Sequence, residues 1–451
     1  MKRRDFLSNT LAMGLGALLL PAYRPAATRG RVVVGAGMAG LAAARELKTL
    51  GWDVLVLEAR DRIGGRVYTD RGWGLPIELG ANWIHNAEQA DNLLPKLAEE
   101  LNINRKQSDF SHVALHVGPG DTVSNLGATL AYLRLRRALR RAYRDRKAGP
   151  TSLGQMLETA RQNLPTHDRN RMMDQLLEEA LSISLGGELM ELDADFYAND
   201  LQGNAKASID LLITGGYDQL TAYLARQLPV QLHTTVREIE AKSDRVLVKT
   251  DDAEYPADHV VVTVPLSLLQ QGAIRFSPAL PDWKVKAIQG LRMGLINKVF
   301  FRFHRTFWAD KQEFLFFNRE ISRRHGLFVN LQAYVGQPVW LALPSGRAAM
   351  LTEQQDSAAH IRHWQEVLHP FFPHREIDIA DLKATAWLAD PYARGAYASV
   401  PVGGHGGLFQ AMAEPVGRVH FAGEATHEKY FSTVHGAISS GQRAASRLHT
   451  P

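Results

Sequence analysis

The 451-residue chain contains no cysteine. That absence excludes disulfides, thiolate metal sites, a cysteine nucleophile and a lipid anchor attached through a thiol. It does not fix a compartment, because an exported protein can fold without disulfides. Neither an internal repeat nor a low-complexity linker interrupts the sequence, so its domains are expected to be interleaved rather than strung in series. Charge imbalance is scarce as well: 52 Lys and Arg stand against 47 Asp and Glu, a net of +5. Much of the excess is local, in Arg134, Arg136, Arg137, Arg140, Arg141, Arg144, Arg146 and Lys147, with Leu133, Leu135, Leu139 and Tyr143 interleaved at roughly helical spacing. This run reads either as a solvated helix face or as an anion- or membrane-binding patch.

What is present describes a folded soluble protein, 45% hydrophobic and 22% charged, and too long for one ordinary core, so two domains are expected. Eight Trp, twelve Tyr and seventeen Phe could line an apolar tunnel, although most such residues in any enzyme are core. At the N-terminus, Lys2-Arg3-Arg4-Asp5-Phe6-Leu7 precedes an apolar stretch from Leu11 to Leu20, then Pro21-Ala22 and Ala26-Ala27. Residues 1–27 read as a twin-arginine export signal, whose apolar core is short for a membrane span. The expected partner is the twin-arginine machinery, which carries proteins already folded around a cofactor. The expected location is the periplasm, or the membrane face if the signal is retained.

From Arg31 the pattern is strand, glycine turn, helix, strand: Arg31 to Val34, Gly35-Ala36-Gly37-Met38-Ala39-Gly40, Leu41 to Leu50, and Asp53 to Leu57. In this βαβ context the glycines acquire roles. Gly35 permits the tight turn, Gly37 lets backbone approach a pyrophosphate, and Gly40 lets the helix pack on the strand. Glu58 closes the second strand where an acid can accept from a ribose diol. The turn alone does not choose between nicotinamide and flavin dinucleotides. Directly afterwards, Ala59-Arg60-Asp61-Arg62-Ile63-Gly64-Gly65-Arg66 offers a second backbone pass with Arg66 as countercharge, which favours FAD. Near the C-terminus, Gly423-Glu424 follows a strand, and Thr433-Val434 opens a helix whose N-terminus would stabilise charge on a reduced flavin. The middle of the chain, residues 86–210, is mostly helical in pattern. Strand alternation returns at Val230 to Ile239, Val246 to Thr250, His259 to Val264 and Lys298 to Phe303, and the last strand is Arg418 to Phe421.

Together with Glu78-Leu79-Gly80-Ala81-Asn82-Trp83-Ile84-His85, Gly215-Gly216-Tyr217-Asp218, Thr263-Val264-Pro265, Asn297-Lys298-Val299-Phe300 and Asp390-Pro391-Tyr392, these motifs resemble the flavin-containing amine oxidase family. That family includes monoamine, polyamine and spermine oxidases and the flavin histone demethylases. The segments Trp83-Ile84-His85 and Ala425-Thr426-His427-Glu428-Lys429-Tyr430 are most similar to spermine and N-acetylpolyamine oxidases. The resemblance implies an α/β fold: a discontinuous Rossmann-like FAD domain of the GR2 type over residues 28–85, 212–275 and 385–451, and an interleaved α+β substrate domain over residues 86–211 and 276–384. It adds Ala59, Arg60, Gly65, Gly80, Ala81, Asn82, Trp83, Val236 and Trp387 to the cofactor contacts. The FAD is expected to be non-covalent, since no cysteine is available to bind it.

The reaction implied is oxidation of a C–N bond, with dioxygen taking the electrons to give hydrogen peroxide and the imine hydrolysing to aldehyde plus amine. Lys298 matches the family lysine that holds a water at the flavin. His85 is placed to take a proton from a substrate ammonium or to bond an inner nitrogen. Tyr397, Tyr430 and Trp387 suggest aromatic walls, with Phe431 beside them. Thr433 stands where some relatives place a second ring. For a polycation a further carboxylate should line the channel, and Asp195, Asp200 and Asp210 lie in the right region, with Asp200 the chosen candidate. No metal is expected. Two alternatives stay open: an L-amino-acid oxidase, which would need Arg292 or Arg394 to grip a carboxylate, and a flavin-binding protein without turnover.

Overall fold

Valine-rich segments that are buried on both faces read as near-continuous apolar runs, and they assemble into a five-stranded parallel sheet. In the computed structural model, which describes residues 30–109, 113–118, 121–123, 125–146, 149–165, 171–197, 208–309, 311–319 and 326–448, the strands are β1 (Gly30–Val34), β2 (Asp53–Leu57), β3 (Val230–Gln231), β4 (His259–Val262) and β5 (Val419–Phe421). Their order is β3-β2-β1-β4-β5, all parallel. Helix α1 (Met38–Thr49) returns the chain from β1 to β2 and buries Leu41, Ala42, Ala43, Ala44 and Leu47. Small residues let α2 (Val434–Arg447) lie close against it: a Cβ on Gly441 would overlap the carbonyl oxygen of Ala39. The export signal expected at residues 1–27 lies outside the described residues.

The alternation over Val230 to Ile239 predicts one strand, but the structure makes two. Val230–Gln231 closes the parallel sheet, and Val236–Ala241 starts a separate four-stranded sheet with Val246–Thr250, Glu254–Ala257 and Arg275–Ser277. Between them His233 takes a φ of 53°, and the N–H groups of His233 and Thr234 donate to the carbonyls of Arg60 (2.9 Å) and Glu58 (2.8 Å). The backbone wraps the end of β2 here, a long-range pairing that alternation cannot reveal.

A seven-stranded mixed sheet runs in the order Ile379–Ala384, Val299–Phe303, Val339–Ala342, Leu327–Asn330, Phe314–Phe317, Val113–Gly118, Asp121–Val123. Its strands all come from residues 86–211 and 276–384, whereas those of the parallel sheet come from residues 28–85, 212–275 and 385–451. Phe301, Phe303, Phe328, Trp340 and Trp364 pack on one face of it. Each such burial contributes roughly 2 kcal/mol, so much of the aromatic content is core. The middle of the chain does carry helices at Leu94–Glu100, Asn125–Asp145, Leu153–Gln162 and Arg171–Leu185. The reading as mostly helical missed Val113–Gly118, because that short strand finds its parallel partner at Phe314–Phe317, 201 positions downstream. A three-stranded sheet pairs Trp83–Ile84 with Leu211–Ile213 and joins Arg105–Gln107. It ties the two strand sets together beside the site.

Candidate active site

A cavity of about 860 Å³ runs along the glycine turn and reaches the seven-stranded sheet. At the turn, Gly35 has a φ of 104°, a conformation open to glycine. A Cβ on Gly40 would overlap the Gly35 carbonyl, so α1 can begin this close to the turn only with glycine there. Gly40 thus packs behind the cavity rather than lining it. The second glycine pair lies on the first turn, where the Gly64 N–H donates to the Ala36 carbonyl at 2.8 Å. The Glu58 carboxylate accepts from the N–H groups of Ala36 (2.7 Å) and Arg60 (2.9 Å). Glu58 therefore shapes the turn, and each of its oxygens keeps a second lone pair for a ribose hydroxyl.

The cradle fits a dinucleotide. A Cβ on Gly37 or on Gly423, both in the cavity wall, would meet no atom within 4 Å, so bare backbone faces open space at two places. The Thr433 hydroxyl accepts from the Gly436 N–H at 3.0 Å and caps α2, whose first residue Val434 also lines the cavity. Ala59, Gly65, Ala81 and Val236 complete this wall. The arginines behave differently from expectation. Arg66 is no uncompensated countercharge for a ligand: it donates to Glu424 at 2.9 Å and to the Ala396 carbonyl at 2.6 Å. Glu424 in turn accepts from the N–H groups of Ala398 and Ser432. Arg60 makes a bidentate pair with Asp390 at 2.7 and 2.8 Å. Both pairs pin remote segments around the cradle.

Lys298 precedes the strand Val299–Phe303 and reaches the cavity wall with only 6% of its surface exposed. Its ammonium donates to the carbonyl of Glu78 (2.9 Å), the carbonyl of Gly80, and Asn82 Oδ1 (2.8 Å). Burial pushes the Lys298 ammonium down from the ordinary lysine value, against the pull of the nearby Glu78 carboxylate. Burial pushes Glu78 up, against bonds from the Tyr217 N–H and the Thr69 hydroxyl. Trp387 closes this region, with its indole N–H on the Leu79 carbonyl at 3.2 Å and its backbone N–H on Asn297.

His85 continues the pairing of Trp83–Ile84 with Leu211–Ile213 by one rung, which brings it opposite Asp210. Its Nδ1 lies 3.1 Å from Asp210 Oδ2. The other Asp210 oxygen accepts from the Ser208 hydroxyl (2.9 Å) and the Asn86 N–H (3.2 Å). Burial opposes the charge on Asp210, yet the bonds from His85, Ser208 and Asn86 hold it below the usual aspartate range. An ionised carboxylate can only accept, so Nδ1 carries a proton and, in the neutral ring, Nε2 is the acceptor. Both residues line the cavity. Nearby, the Tyr430 hydroxyl donates to Asp91 at 2.7 Å, and Lys429 stands 3.6 Å from the same carboxylate. Tyr397, with its hydroxyl on the Ile183 carbonyl, and Phe431 also line the cavity.

The structure thus gathers Lys298, His85, Tyr397, Tyr430 and Trp387 around one cavity. Asp200 lies outside the described residues. Asp195 pairs with Arg146 and does not line the cavity; nor do Arg292, which pairs with Glu191, or Arg394. Sequence reasoning missed Glu78 and Asp91. Glu78 is an acid between Ile77 and Leu79, which signals a buried partner without naming it.

The sequence model of the family described as flavin containing amine oxidoreductase matches residues 38–449. The chain belongs to that family. As a flavin amine oxidase it uses FAD, and its fold is the mixed α/β fold of that family. It is 30% identical over 432 residues to probable polyamine oxidase 4 of Arabidopsis thaliana, covering 92% of this chain and 86% of the relative. It is 31% identical over 444 residues to polyamine oxidase 4 of Oryza sativa subsp. japonica, covering 95% and 91%. Among solved structures, a putrescine oxidase redesigned in cofactor binding superposes with a TM-score of 0.74 at 22% identity, covering 93% of this chain and 98% of the other. Cyclohexylamine oxidase from Brevibacterium oxydans gives 0.75 at 21% identity, with the same coverage.

Proposed function

We propose that this amine oxidase acts on a polyamine or a related amine, with dioxygen reduced to hydrogen peroxide and the imine hydrolysed to aldehyde and amine. The observation that carries the reading is the His85–Asp210 pair in the cavity wall, with Asp91 bound to Tyr430 beside it. A substrate cation meets the Asp210 carboxylate there, and His85 Nε2 accepts a proton so that the reacting nitrogen loses its charge. Curated relatives bearing the name polyamine oxidase support the same substrate class.

FAD, when bound, would supply the two-electron oxidation, with dioxygen as the electron acceptor. The chain's own contribution is positional. Gly37 and Gly423 admit the cofactor close to backbone, Lys298 ties Glu78, Gly80 and Asn82 together at the cavity wall, and Tyr397, Tyr430 and Phe431 exclude water from the amine. Residues 1–27 direct the folded protein through the twin-arginine route to the periplasm, a proposal that rests on Arg3-Arg4 and the apolar stretch after them.

Peroxide release from the purified yellow protein tests the substrate. Spermine, spermidine or an N-acetylpolyamine should be turned over fastest, whereas a preference for aromatic monoamines or L-amino acids overturns the assignment. Cell fractionation tests location: Arg3→Lys with Arg4→Lys should leave the protein in the cytoplasm.

A further inference from the structure

We propose that the arginine face of the helix Asn125–Asp145 docks the protein on an anionic phospholipid surface. The helix carries six arginines against one aspartate, which equals the formal net charge of the entire chain, so the remaining residues sum to neutrality. Its two sides differ. Leu139 and Ala142 are buried against Leu153, Met156 and Leu157 of the neighbouring helix. Arg134, Arg137, Arg140, Arg141 and Arg144 are exposed. Spacings of three and four residues place Arg134, Arg137, Arg141 and Arg144 on one stripe, about 15 Å long at the rise of an α-helix.

A solvated surface helix ordinarily mixes its charges, because like charges at such spacings repel. Asp145 stands 3.6 Å from Arg144, yet the stripe itself carries one sign, and a complementary anion lowers its mutual repulsion. Guanidinium groups are matched to phosphate oxygens, which they bind in pairs of parallel hydrogen bonds. One feature selects a bilayer over another polyanion. Leu133 is 52% exposed, next to Arg134 and one turn before Arg137. An apolar side chain at the edge of a basic stripe gains by entering the headgroup boundary, where nucleic acid offers it nothing. No helix among the described residues is long and apolar enough to cross a membrane, so the contact is peripheral. The docking helix packs on Arg171–Leu185, whose Ile183, Ser184 and Leu185 line the cavity.

The test uses the full chain, with residues 1–27 present in every protein compared. Parent protein should sediment with vesicles of phosphatidylglycerol and phosphatidylcholine at about 50 mM salt, release at about 0.5 M, and ignore pure phosphatidylcholine. Changing Arg134, Arg137, Arg141 and Arg144 together to Gln should weaken vesicle binding about a hundredfold, with flavin content and amine turnover unchanged. The matching set of Arg→Lys changes should retain most binding, which shows that charge and not folding is read. Leu133→Gln should weaken vesicle binding a few-fold and leave retention on a double-stranded DNA probe unaltered. Equal sedimentation of parent and the Gln variant overturns the proposal. So does tighter binding to the DNA probe than to vesicles in the same salt.

Discussion

The two ends of the cavity are built on different principles. The dinucleotide end is made of backbone: Gly35 at a positive φ, Gly40 against the Gly35 carbonyl, and Gly37 and Gly423 facing open space, all held by Glu58 and the Arg60–Asp390 and Arg66–Glu424 pairs. The end proposed above for the amine is made of side chains whose partners come from distant segments: Lys298 on Glu78, Gly80 and Asn82, His85 on Asp210, Tyr430 on Asp91. A backbone cradle tolerates almost no substitution at its glycines, whereas a side-chain wall can be retuned one residue at a time. That asymmetry suits one cofactor used with many amines.

Substitutions can break or sharpen the contrast. The largest effect is expected at Gly40→Val, where added carbons meet the Gly35 carbonyl; the purified protein should lack flavin absorbance, and a fully yellow variant would sink the idea of a rigid cradle. Lys298→Met should keep the flavin while slowing amine oxidation about 10²–10⁴-fold; loss of flavin instead would assign the lysine to the cradle. Lys284 serves as a control remote from both ends. Wholly buried, it donates to the carbonyls of Ala411 (2.8 Å) and Met412 (2.9 Å), and burial lowers its ammonium to about 7. Lys284→Met should destabilise by about 2–4 kcal/mol in a denaturant melt without touching turnover. The pH dependence has a definite sign. Between about 7 and the ordinary lysine value of ~10.4 the unfolded chain binds the proton that the folded one has released, so stability rises with pH across that window. The Met variant should lose that rise.

Smaller effects test the wall and the cap. Asp210→Asn should lower kcat/KM about tenfold with flavin content intact, since it removes the carboxylate that orients His85; an unchanged value would show that the pair is idle. Thr433→Ala should cost about 1 kcal/mol by uncapping α2, read as a modest fall in thermal stability, with the flavin end weakened only slightly.

The contrast between the ends also explains what could be read in advance. Gly35, Gly37, Gly40 and Glu58 were legible because backbone requirements repeat at short, fixed spacings within one βαβ unit. Lys298, His85 and Tyr430 were legible only through the resemblance to a family. The pairings were not legible by either route. Arg66 and Glu424 each read as contacts to a ligand, yet they bind one another across 358 positions. The break after Gln231 was hidden because Leu232-His233-Thr234-Thr235 keeps alternation while the backbone turns over β2. Asp210 was one acid among three in a loosely matched region, and strand pairing, absent from any local pattern, singled it out.

That pairing has an evolutionary corollary. His85 and Asp210 form the next rung beyond two tiny strands, and in a strand neighbouring side chains point to opposite faces. Inserting or deleting a single residue between Asn82 and His85, or between Asp210 and Ile213, would therefore turn that strand's member of the rung to the other face and break the pair. Homologues with new amine preferences should carry exchanges at positions 85 and 210, with changes of chain length kept away from these two short stretches.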